Sequence, residues 1–189
     1  MSDTQTQTAS DTDAEHSSET TRLGALFSWT SIAFVFLCTC GLGMGLAYVF
    51  GVPIGGKRLI EGQYYWFFIG IFLASAFIAL PATKSQRTVP IYDIIAAVLA
   101  LGISMWFSTH AWDIVQSGWT SFPAGVVPWV LMLEVARRSG GVPFLLVVFL
   151  LGLYPLVADF FPGLLMGIPY TFERMIEAHV FRTEGLMGI

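Results

Sequence analysis

From residue 23 to residue 50 this chain carries no Asp, Glu, Lys, Arg or His, and two further runs of the same kind cover residues 64–80 and 142–158. At about 1.5 Å per residue, the first run exceeds the roughly 20 helical residues that cross a bilayer core, and the other two approach that length. Lipid offers no partner to a free backbone N–H or C=O, so runs of this kind must be helical. The rest of the composition agrees: 55% of the 189 residues are apolar, 15% are aromatic and 12% are charged. The mean hydropathy is +0.70. Such a chain is an all-α membrane protein.

The formal net charge of −4 is misleading until it is divided along the sequence. Asp3, Asp11, Asp13, Glu15 and Glu19 all precede Thr21, with no Lys or Arg among them, and the remainder is close to neutral. That excludes a nucleic-acid binder with a broad basic face. The polar stretches are too short to bury a soluble catalytic core. Residues 1–21, nearly all Ser, Thr, Asp, Glu, Gln and Ala, read as a disordered acidic tail and lack the basic start and apolar stretch of a signal peptide.

A transmembrane domain is expected over residues 22–168, with four to five spans at about 23–50, 64–80, 91–108, 122–136 and 142–160. The 122–136 segment is short for a crossing, about 22 Å of helix. Gly41 with Gly45, and Gly70 with Ala74, form small-xxx-small pairs that let helix backbones approach. Asp93 falls in the first turn of the third run, where a carboxylate meets the positive helix end, with a contact to another subunit as the alternative reading. Residues 109–121 read as a polar, aromatic connection, and Pro155 as the kink of the last span. Residues 169–189 read as a short amphipathic interfacial helix, with Phe172, Met175, Ile176, His179 and Val180 on one stripe, followed by a junction. The basic residues divide five to four between the two sides whether four or five spans are counted, so they do not choose between these topologies.

Chemistry at depth needs ionisable groups or ligands, and the long spans hold almost none. His16, His110 and His179 fall outside the apolar runs, so no histidine pair is placed to hold a haem. Cys38 and Cys40 lie two apart on a helix, point about 200° from each other, and read as packing residues. Neither an enzyme, nor a cofactor, nor a metal site is expected. Aromatic belts and small-residue seams fit a membrane subunit that docks on a larger partner.

The C-terminal third carries an ordered string: Glu134-Val135-Ala136-Arg137-Arg138, Gly140-Gly141, an apolar helix, Phe161-Pro162-Gly163, Phe172-Glu173-Arg174, and Arg182-Thr183-Glu184-Gly185-Leu186-Met187-Gly188. This resembles the small membrane portion of tripartite ATP-independent periplasmic (TRAP) transporters of the TAXI class. In that family a leucine-rich helix ends in Glu-x-x-Arg-Arg, and a Thr-Glu-Gly string precedes the large permease. The resemblance covers about residues 60–189. It implies a scaffold for a large permease subunit that takes up organic acids with a sodium or proton gradient, fed by a periplasmic substrate-binding protein, in the bacterial inner membrane. Glu134, Arg137, Arg138, Glu184 and Gly185 are then candidate contacts to the large subunit or to membrane lipids, set against an ordinary intrahelical ion pair for the first three. TAXI systems usually fuse the two membrane parts, so the chain is either a separate subunit or a piece of such a permease. Two other readings stay open: the small subunit of a tripartite tricarboxylate transporter, and the membrane anchor of a redox or biosynthetic enzyme complex.

Overall fold

The computed structural model describes residues 29–54, 56, 58–83, 88–117, 122–163 and 166–182, and the regular elements among them are helices. These are α1 (Trp29–Val49), α2 (Glu61–Ala79), α3 (Ile91–Ser117), α4 (Phe122–Leu153) and α5 (Phe172–Phe181), with two 3-10 turns, Tyr154–Leu156 and Ala158–Phe160, between the last two. Four stretches are long and apolar enough to cross a membrane: Trp29–Val49, Glu61–Ala79, Ile91–Ile114 and Phe122–Leu156. The chain is a multi-pass membrane protein. The acidic tail read over residues 1–21 lies outside the described residues.

α1, α2 and α3 run antiparallel in sequence order. Tyr48 stacks on Tyr64 with ring centroids 4.4 Å apart, and Gly41 meets Ile71, so the start of α1 lies beside the end of α2. The Ser108 hydroxyl donates to the Gln63 carbonyl at 3.2 Å, and Gly70 meets Ser104. Two ends of the bundle follow from this, one at Tyr64 and one at Pro81. α1 stops at the Tyr64 end in a Schellman turn, with Gly51 at φ +63°: the Val52 N–H donates to the Ala47 carbonyl and the Gly51 N–H to that of Tyr48.

α4 is not a straight rod. Trp129 and Phe149 would stand about 30 Å apart along one helix, yet their ring centroids are 6.2 Å apart. The reversal is at Gly141, whose φ of +74° and ψ of −175° are closed to residues with a Cβ. One arm, residues 122–140, is about 28 Å long and runs from the Tyr64 end to the Pro81 end. The other, residues 142–153, returns. Pro143 falls at the start of the second arm, where a missing N–H costs nothing. The segment first read as a doubtful crossing is therefore one half of a hairpin, and the described chain enters and leaves at opposite ends of the bundle.

Three sequence expectations need correction. Residues 109–117 belong to α3 and are not a connection, because their polar side chains bond back to their own helix: Thr109 Oγ1 to the Trp106 carbonyl at 2.7 Å, and Ser117 Oγ to that of Asp113 at 2.6 Å. Pro155 does not kink a span ending at 160; the helix ends at Leu153, and Pro155 sits in the 3-10 turn after it. The apolar stripe of α5 also does not lie flat on lipid. Met175, Ile176, Val180 and Phe181 are buried against Trp66, Phe107, Ala111 and Ile114 of α2 and α3. Phe181 and Ile176 also close on Gly125, so α5 wedges the base of the hairpin to the bundle. A second apolar cluster, Leu73, Ala74, Phe77, Ile78, Ala97, Ala100 and Leu131, fills the Pro81 end.

Candidate functional site: a charged knot joining three helix ends

α2 ends where Pro81 forbids another helical turn, with the Leu80 N–H donating back to the Ala76 carbonyl. The last carbonyls of a helix have no partner within it. The capping carbonyl and one just beyond it are met from the hairpin: Arg138 Nη1 donates to the Leu80 carbonyl at 3.2 Å, and Arg137 Nη1 to that of Ala82 at 3.5 Å. Guanidinium groups at the negative end of α2 also suit its dipole. At the adjoining start of α3 Asp93 is completely buried, and its Oδ1 lies 2.7 Å from Nη1 of Arg138, itself only 4% exposed. The Arg138 guanidinium also stands 4.9 Å from the ring centroid of Phe77.

Glu134 completes the knot. Arg137 grips its carboxylate with two donors, Nε to Oε2 at 2.8 Å and Nη2 to Oε1 at 2.6 Å, and Arg138 Nε donates to Oε1 at 2.8 Å. The i+3 and i+4 spacings legible in the sequence therefore do form intrahelical pairs. The long-range half of the arrangement, Arg138 to Asp93 and to the end of α2, was not legible. Asp93 read as a dipole partner at an interface or as a contact to another subunit, not as a partner of Arg138.

Two cations face two anions, so the knot is balanced in charge. Its chemistry is mechanical: it ties the hairpin tip to the α2–α3 corner. Arg137 and Glu134 are about one-third exposed at their side chains and form the outward rim. Glu184 and Gly185 lie outside the described residues.

The small-residue pairs do what their spacing suggests. A Cβ on Gly70 would fall 2.7 Å from the Ser104 Cβ, and Ala74 is fully buried, so this pair is the α2–α3 seam. A Cβ on Gly41 would fall 3.2 Å from Ile71, and one on Gly45 3.5 Å from the Tyr64 hydroxyl, which makes the α1–α2 seam. Cys38 is half-buried and Cys40 exposed, so Cys40 faces outward from the described bundle. Nδ1 of His110 and of His179 each lies within hydrogen-bond distance of a carbonyl one turn back, Trp106 at 2.9 Å and Met175 at 2.7 Å. Among the described residues no group of three or more His, Cys, Asp or Glu could hold a metal ion.

Comparison with known protein families, curated proteins and solved structures finds no match for this chain.

Proposed function

We propose that this chain is the small membrane subunit of a TAXI-class TRAP transporter in a bacterial cytoplasmic membrane, and that it braces a large permease through which organic acids pass. The observation that carries the reading is the ordered string from Glu134 to Gly188, with Thr183-Glu184-Gly185 closing it. Two features support it. The acidic and basic side chains of the knot gather at the Pro81 end and are neutralised there, which leaves the lipid-depth part of the hairpin without a group that grips a charged solute. Large apolar side chains also point outward, among them Phe36, Leu42 and Val49 of α1 and Leu146, Leu150 and Leu151 of the hairpin. Such faces suit a membrane subunit seated among lipid and partner helices.

Purification through a tag on this chain, in mild detergent, tests the reading. It predicts recovery of a large polytopic permease, and a periplasmic binding protein when substrate is present. Recovery instead of a soluble catalytic subunit, with haem or flavin absorbance, would favour the enzyme-anchor reading.

A further inference from the structure

A cavity of about 380 Å³ opens at the Tyr64 end, between the last turn of α1 and the strand-like approach to α2, lined by Ala47, Tyr48, Val49, Gly51, Val52, Arg58 and Leu59. Its size falls in the lower part of the range of small-ligand pockets. At 21 residues, α1 is about 31 Å long. It spans the hydrocarbon core, which puts this cavity at headgroup depth. The negative end of α1 is quenched there, since the Leu46, Ala47 and Tyr48 carbonyls accept from the N–H groups of Phe50, Val52 and Gly51. Glu61, the nearest acid in sequence, accepts from the Tyr65 hydroxyl at 2.9 Å. Arg58 has no ion-pair partner among the described residues, unlike Arg137 and Arg138, whose charges are answered within the chain.

We infer that this cavity seats the phosphate of an anionic phospholipid headgroup, with Arg58 as its charge partner and the Tyr48–Tyr64 stack as the aromatic wall at the interface. The inference stands apart from the transporter reading and holds or fails without it. The acyl chains of such a lipid run down the exposed apolar face of α1, where Val49, Leu46 and Leu42 follow one another at helical spacing.

The test uses the full chain in detergent, observed by native mass spectrometry during titration with phosphatidylglycerol, with phosphatidylcholine and with inorganic phosphate. A juxtamembrane cation contributes about a fivefold preference for an anionic lipid, so phosphatidylglycerol should bind about fivefold more tightly than phosphatidylcholine. Arg58→Gln should abolish that preference, while Arg182→Gln, outside the cavity, should leave it unchanged. Arg58 is exposed, so the variant should elute and fluoresce like the parent. An intact preference in Arg58→Gln, or equal losses in both variants, overturns the site. Arg58-dependent binding of inorganic phosphate without a lipid preference overturns the lipid assignment and leaves a free-anion site.

Discussion

Replacing Arg138 by Met keeps most of the side-chain volume and removes the guanidinium. Asp93 is then fully buried with its 2.7 Å partner gone, and the Leu80 carbonyl loses its donor. Breaking a buried pair by removing one member costs about 3–5 kcal/mol. Glu134 is spared because Arg137 still holds both its oxygens. Asp93→Asn should cost less, about 1–3 kcal/mol, because Arg138 keeps Glu134 and the Leu80 carbonyl. The double variant leaves no buried charge, so its cost should fall short of the sum of the singles by about 2 kcal/mol. Reversible unfolding in mixed micelles of rising sodium dodecyl sulfate content, followed by tryptophan fluorescence, measures all three. Single effects that add to within about 0.5 kcal/mol would show that the two residues are uncoupled and would refute the knot.

Gly141→Ala should destabilise the hairpin by about 1–3 kcal/mol in the same assay, because a φ of +74° with a ψ of −175° lies in a region essentially reserved to glycine. Gly43→Ala, with open space around it, should be neutral, whereas Gly70→Leu should prevent α2 from closing on α3 at Ser104 and abolish monodisperse expression. Ser104→Ala should be neutral or stabilising by about 1 kcal/mol, since its buried hydroxyl has no partner among the described residues, while Ser108→Ala should cost about 1 kcal/mol through the lost bond to the Gln63 carbonyl. Cysteines introduced at Thr88 and Ser139, in a Cys38→Ser, Cys40→Ser background, should react with an impermeant maleimide from one side of the membrane, and a cysteine at Ile54 from the other. Labelling of Ser139→Cys together with Ile54→Cys would contradict the direction assigned to the first hairpin arm.

The sequence made the spans legible because lipid imposes one demand on the backbone and uncharged length answers it. It was less informative where side chains satisfy polar groups locally. His110 and Asp113 read as loop residues, yet Thr109, His110 and Ser117 return their polar atoms to α3 and let it continue. The break between the 122–136 and 142–160 segments was legible, but whether the first of them crosses was not, since a break fixes no direction; the Trp129–Phe149 contact does. The Glu134–Arg137–Arg138 pairing was legible because it is local, and Asp93 was not joined to it because nothing in spacing links residues so far apart in the chain. The α5 stripe was found, but its partner was misjudged, because an apolar stripe suits lipid and protein equally well.

Reconstitution into proteoliposomes asks whether this chain moves solute by itself. With a sodium or proton gradient and radiolabelled organic acids, this chain alone should show no uptake, and uptake should follow once the co-purified permease and the binding protein are added. Gradient-driven accumulation by this chain in the absence of both would contradict it.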